Sequence, residues 1–268
     1  MNLKKITSKI EKDGYTIIKR AFSKKKINFI LDLVKKEHTK IKFKYKGLPK
    51  RDSSDLIVYN LQNKNYEFLR ILSNPLIQKV CKYFLNDNFF RLIKKDKPNF
   101  ILNYYNARSS GNKLDLHIDS YMPYLGKKIF LMQFAIILED QFSNNGCTIL
   151  KPKSHLSGKF TNRNEKKLKK IKSHAGDIVI WDSRIWHGTE KNTSKKTRWS
   201  LIATFSSWWV KQSMDMTKSL PKKIFNKLSI NEKILLGYCS IIPRDETGAI
   251  RTKRSLNEIS YNLQDYYK

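Results

Sequence analysis

The sequence predicts a mainly β fold of the sandwich or jelly-roll type, flanked by helices. Two observations carry this expectation. From residue 89 onward, β-rich segments recur at intervals of roughly 10–25 residues with turn residues between them. Before them, helix-period apolar stretches with capping residues fill most of the chain. A chain of 268 residues can bury one substantial core, and its 40% apolar and 12% aromatic content is that of a globular protein.

Residues 3–12 read as a short helix and YTIIKRA (15–21) as a first strand. Ser23 is placed to cap a helix running to about residue 40, with Ile27, Ile30, Leu31 and Val34 on one face. Residues 41–54 are basic and loop-like, and DLIVYNL (55–61) is a strand or connector. The stretch 66–87 is helical on both sides of Pro75, which starts its second helix after an Asn74 cap. FFRLI, NFILNYYNARS, LDLHIDSY, IFLMQFAIILED, CTILKP, AGDIVIWD and the TEK/TRWSLIATFSSWWV region follow as strands. The glycine and serines of NARSSGNK suggest a mobile lid. NEKKLKKIKS (164–173) reads as a solvated helical turn or exposed loop. Beyond residue 210 two short helices are expected around Pro221 and Ser229, then a polar tail without a core pattern.

No run of about 18 apolar residues is present, which argues against a membrane span. The N-terminus is charged and lacks the apolar stretch of a secretory signal. Cys81, Cys147 and Cys239 are odd in number and widely spaced, so a reduced, cytoplasmic setting is expected. The net charge of +31 has two readings. Lysine outnumbers arginine 43 to 11, although arginine is the residue suited to bidentate phosphate recognition. Lysine, asparagine and isoleucine all have A- or T-rich codons, so a coding bias would give the same excess. The other reading is an anionic partner: a phosphorylated metabolite, a CoA or carrier-protein thioester, an acidic glycolipid or nucleic acid.

The chemistry concentrates in LDLHIDS and in IWHGTEKNTSKKTRWS. On an extended segment His117 and Asp119 share a face, because strand side chains alternate. His187 on a later strand can complete a two-histidine, one-carboxylate set, the arrangement of non-haem Fe(II) oxygenases. Arg198, eleven residues further on, is a fixed cation suited to a dicarboxylate. An H-x-D pair alone is a weak signal. Here it gains weight from GDIVIWD before His187, from Gly188 and Thr189 after it, and from NNGCTILKPKSHLSG between the two histidine segments.

With DGYTIIKRAFSKKKINFI near the start, these pieces resemble, in order over about residues 8–205, the phytanoyl-CoA dioxygenase-like branch of the Fe(II)/2-oxoglutarate oxygenases. The resemblance implies a double-stranded β-helix core of the jelly-roll, cupin-like kind. It implies His117, Asp119 and His187 as iron ligands. Arg198 would take the distal carboxylate of 2-oxoglutarate, with a hydroxyl contact from Thr189 and looser contacts from Asn103 and Gln133. The implied activity consumes O2 and 2-oxoglutarate, releases succinate and CO2, and hydroxylates an unactivated C–H bond of a small or carrier-linked metabolite that an anionic group would suit. In related halogenases a small residue replaces this carboxylate, so Asp119 favours hydroxylation, rearrangement or desaturation over halogenation. The expected organisation is a single oxygenase domain over 1–210 with N-terminal helices, and a C-terminal helical extension and tail over 211–268 packed on it.

Other residues carry two readings each. His155 is either a contact in the site or a hydrogen-bonded turn residue; Trp181 is ambiguous, whereas Trp186 should point into core. Tyr121, Tyr124 and Asp182 are pocket candidates or packing groups, and Trp208 and Trp209 read as core. The alternative for the whole chain is a non-catalytic basic protein on a degenerate jelly roll, holding nucleic acid or an anionic polymer.

Overall fold

A computed structural model describes residues 2–44, 55–89, 97–162, 164–194, 196–241 and 246. The expected strand FFRLI and the polar tail fall almost wholly outside the described residues. The chain forms two compact units: one of residues 1–60 and 105–203, the other of residues 61–104 and 204–268.

The first unit opens with α1 (Leu3–Asp13). Asn2 caps it by accepting from the Lys4 N–H, and Gly14, in the left-handed region at φ 84°, ends it. Ile6 and Ile10 are its buried face. Next come β1 (Tyr15–Ile18) and α2 (Lys24–Lys44), whose Lys26 N–H donates to Ser23 Oγ as the capping pattern requires. Ile27, Ile30 and Val34 are buried at helical spacing. β2 (Asp55–Tyr59) pairs antiparallel with β3 (Ile101–Ser110), so NARSS is paired strand rather than a lid, with Asp55 opposite Ser110. β4 (Leu114–His117), β5 (Leu131–Ile137), β6 (Thr148–Leu150), β7 (Lys169–Ile171), β8 (Ile178–Asp182), β9 (His187–Thr189) and β10 (Ser200–Ser206) follow. The lysine-rich run at 164–173 thus contains a strand: Ile171 is buried, and β7 pairs with β6 while its lysines stay in solvent.

Two sheets result, one in the order β1-β8-β5-β10-β3-β2 and one in the order β4-β9-β6-β7. This is the jelly-roll arrangement that the strand spacing and the resemblance predicted. Tyr15, Ala135, Ile137, Val179 and Trp181 of the larger sheet form one core with Leu150 and Ile171 of the smaller, joined by Ile185 from the β8–β9 turn. These positions alternate along each strand, as the inner faces of two packed sheets require. Full burial of each aliphatic side chain contributes about 1.5–3 kcal/mol.

The second unit contains α3 (Tyr66–Leu72) and α4 (Pro75–Leu85), the latter capped by Asn74 accepting from Leu76 and Ile77 N–H. Among its described residues three short helices follow, one more than the sequence suggested: α5 (Met216–Ser219), α6 (Lys222–Phe225) and α7 (Ile230–Leu235). Glu232 is buried in a capping box with Ser229 and also accepts from Tyr66 and Ser73 hydroxyls. Four donors converging on one carboxylate meet the need of a buried charge. Trp208 donates to Asp87 and Trp209 is 49% exposed, so this pair is not core. Among the described residues no helix is long and apolar enough to cross a membrane.

Candidate metal centre

His117 and His187 are direct cross-strand partners of β4 and β9, with ring centroids 4.3 Å apart. The strands approach this closely because residue 188 is glycine: a Cβ there would collide with the Leu114 carbonyl oxygen. On the other edge of β9, His187 stands opposite the core residue Leu150, and cross-strand partners share a face. The buried His187 ring therefore points between the sheets, and its cross-strand partner His117, on the same face, is 36% exposed.

Asp119 lies two residues beyond the end of β4, on a bend rather than on the strand itself. Its position comes from the β8–β9 turn, where the Ser183 carbonyl accepts from the Asp119 and Ser120 N–H groups. Oδ2 of Asp119 is 3.1 Å from His187 Nε2, and Oδ1 is 3.5 Å from His117 Nε2. The three candidate ligand atoms lie within 4.8 Å of one another, a spacing that could hold one metal ion.

The backbone sets the imidazole tautomers. His117 Nδ1 lies 2.9 Å from the Asp115 carbonyl oxygen and His187 Nδ1 lies 3.1 Å from that of Ile185. A carbonyl can only accept, so each Nδ1 carries the proton and each Nε2 lone pair is left for a metal. Trp181, which the sequence left ambiguous, donates its indole N–H to Asp119 Oδ2 at 3.4 Å and lies 5.2 Å from the His187 ring. Burial opposes the Asp119 charge, but the two imidazoles outweigh it and hold the carboxyl far below the usual range. Burial likewise opposes the His117 cation, and Asp119 outweighs that too, raising its pKa above 6.5.

Arg198 is 4% exposed. Its Nε donates to the Ser110 carbonyl at 3.2 Å, while its Nη2 is buried with no hydrogen-bond partner among the described residues. Gly146, at φ 87°, leaves room for it: a Cβ would stand 2.8 Å from Nε. Burial lowers the Arg198 pKa to about 10, Cys147 acting in the opposite direction, so the group stays cationic at neutral pH. An orphaned buried guanidinium N–H is the donor an incoming carboxylate would satisfy.

The remaining candidates divide. Thr189 lies two residues after His187, on the same strand face, and its hydroxyl accepts from the Leu114 N–H. Gln133 is buried directly opposite Trp181, hence on the inner face. Asn103 is buried with its carboxamide engaged at both ends, donating to Lys211 O and accepting from Ser213. Two residues on β3 that the sequence reading passed over, Asn106 and Arg108, alternate onto the face opposite to that of Asn103. Each has a buried side-chain atom without a partner, Asn106 Oδ1 and Arg108 Nε.

Three other candidates are structural. His155 is buried against Gly14 with Nε2 donating to Glu11 O. Asp182 forms a buried pair with Arg184 at 2.6 Å, and the Arg184 guanidinium covers the Tyr124 ring at 4.5 Å. Arg184 also donates to Gly126 O, which ties the segment after Asp119 to the turn before His187. Trp186 is half-buried and donates to Lys159 O instead of entering the core.

The fold has known counterparts. The epimerase SnoN, solved with Fe3+, alpha-ketoglutarate and nogalamycin RO, superposes with a TM-score of 0.60 at 14% identity over 76% of this chain and 83% of its own. HygX from Streptomyces hygroscopicus, solved with nickel, 2-oxoglutarate and hygromycin B, gives 0.60 at 12% identity over 78% and 88%. At these identities the likeness is one of fold. Residues 10–200 match the family described as phytanoyl-CoA dioxygenase (PhyH), and the chain belongs to that family.

Proposed function

We propose that this protein is an Fe(II)/2-oxoglutarate-dependent dioxygenase that hydroxylates an unactivated C–H bond of a small or carrier-linked metabolite. The observation that carries the reading is the His117–Asp119–His187 cluster, with both Nδ1 atoms tied to backbone carbonyls and both Nε2 atoms turned toward one carboxylate. Two imidazoles and a carboxylate fit a divalent iron and leave positions open for other ligands. The partnerless Nη2 of Arg198 fits the distal carboxylate of 2-oxoglutarate, and Gln133 and Thr189 stand on faces from which they can add polar contacts.

When bound, iron, 2-oxoglutarate and O2 supply the oxidation of the C–H bond, with succinate and CO2 as co-products. The chain's own residues position and shelter that chemistry. The Asp115 and Ile185 carbonyls hold the Nδ1 protons, so that each neutral ring presents its Nε2 lone pair. Trp181 orients Asp119, and the apolar layer of Ala135, Ile137, Leu150, Val179 and Ile185 excludes water from the inner side. Arg198 fixes one end of the co-substrate, so its reactive end meets the metal in one orientation.

The structural neighbour SnoN is an epimerase, so epimerisation is the outcome to be separated from hydroxylation. Incubation with candidate substrates under 18O2 separates the two outcomes. Hydroxylation places one 18O in the product and one in succinate, whereas epimerisation leaves the product unlabelled. Succinate formation triggered by substrate should vanish in His117→Ala and Asp119→Ala. Unchanged turnover in either variant overturns the ligand assignment.

A further inference from the structure

Arg108 sits on β3 two residues from Ser110, whose carbonyl accepts from Arg198 Nε. It shares its strand face with Asn106, and its Nε is buried without a partner among the described residues. Asn106 is 1% exposed, and its Oδ1 is likewise partnerless. Across the sheet Arg108 stands opposite Ile57 of β2, and the Ser110 carbonyl two residues along β3 places it beside Arg198. Asp55, the nearby carboxylate on β2, accepts from the Ser110 hydroxyl at 2.6 Å.

Arg108 is half-buried, and its guanidinium has an unfilled hydrogen bond at Nε among the described residues. A cation in such a place is stabilised by an anionic partner that fills that bond.

Building on the oxygenase reading, we propose that Arg108 binds a carboxylate or phosphate group of the primary substrate, while Asn106 Oδ1 accepts a hydrogen bond from a hydroxyl or ammonium group of the same molecule. Strand residues two apart are separated by about 6.7 Å, so the two substrate groups are spaced on that scale. The substrate class is therefore a small anion with a donor a few bonds from the charge. Arg108 acts on specificity and leaves the metal ligands and Arg198 to do their own work.

The test uses Co(II)-loaded protein saturated with 2-oxoglutarate, titrated calorimetrically with inorganic phosphate and, separately, with acetate in low-salt buffer. The wild type should bind at least one probe at a single saturable site, and the preferred probe shows whether phosphate or carboxylate is the natural group. In Arg108→Gln and Arg108→Leu that affinity should fall roughly tenfold or more, with Arg108→Lys retaining most of it. Affinity for 2-oxoglutarate should stay within about threefold of wild type in all three, since Arg198 is intact. Absence of probe binding in the wild type, or binding unchanged in Arg108→Gln, overturns the inference. So does a loss of 2-oxoglutarate affinity as large as that on replacing Arg198, which would place Arg108 in the co-substrate clamp. Failure of the wild type to take up cobalt and 2-oxoglutarate at all would instead refute the oxygenase reading.

Discussion

Replacing Arg198 with methionine separates the cost of burying a charge from its use. Burial lowers the Arg198 pKa from 12.5 to about 10. A difference of that size corresponds to on the order of 3 kcal/mol of unfavourable burial, all of which the folded protein carries at neutral pH. Methionine keeps much of the stem's packing and removes the charge. Against that gain, the Ser110 carbonyl loses its Nε donor, a loss of about 1–3 kcal/mol. The two nearly cancel, so the thermal midpoint of the metal-free protein should move by no more than about 4 °C. Co-substrate binding should respond very differently. Two charge-assisted hydrogen bonds to a carboxylate are worth about 3 kcal/mol or more, a rise of roughly 150-fold in Kd. Calorimetric titration of Co(II)-loaded protein with 2-oxoglutarate measures this directly. A Kd within about threefold of wild type, or a midpoint lowered by more than about 8 °C, would refute the reasoning, because Arg198 would then be a structural residue.

Four further outcomes follow from the same geometry. Metal affinity should weaken in acid: the raised pKa of His117 means the metal must displace a proton below that pKa, by up to about tenfold per pH unit, as a titration of Co(II) binding against pH would show. In the metal-free protein the sign reverses for His117. Its pairing with Asp119 stabilises the fold fully below 6.5 and is lost as pH rises through the raised value, whereas the Asp119 contribution is lost only in strong acid. Gly188→Ala should destabilise the protein by about 1–3 kcal/mol and weaken metal binding, since the added Cβ forces β4 and β9 apart at the His117–His187 pair; unchanged metal affinity would contradict this. Arg184→Met should destabilise by about 3–5 kcal/mol in chemical denaturation, because it strands the fully buried Asp182 carboxylate; a near-neutral result would show that the pair is dispensable.

The ligand set was legible because its spacing is local in kind: H-x-D around one strand end, and a histidine, glycine and arginine at fixed distances behind a β-run. The caps of α2 and α4 were legible for the same reason, since Ser23 and Asn74 act on N–H groups two or three residues away. What the sequence hid depends on strand register. Asn103 and Arg108 lie five residues apart on β3 and so face opposite ways, a distinction that requires knowing which face is inner. The 164–173 run hid β7 because a single buried residue, Ile171, carries the sheet's apolar face amid lysines. NFILNYYNARS was legible as a strand, but the small polar residues of NARSSGNK also suggested a lid, because the sequence does not show that the hydrogen bonds of NARSS go to β2. The Asp182–Arg184 pair was visible as residues, but its role as the brace between the Asp119 segment and the His187 turn is purely tertiary.

The central claim is that His117, Asp119 and His187 hold one iron to which 2-oxoglutarate binds under the control of Arg198. Anaerobic addition of Fe(II) and then 2-oxoglutarate tests it most directly. The account predicts one iron per chain and a weak visible charge-transfer band that saturates with the co-substrate and is absent from Asp119→Ala. No band in the wild type, or an undiminished band in Asp119→Ala, would contradict it.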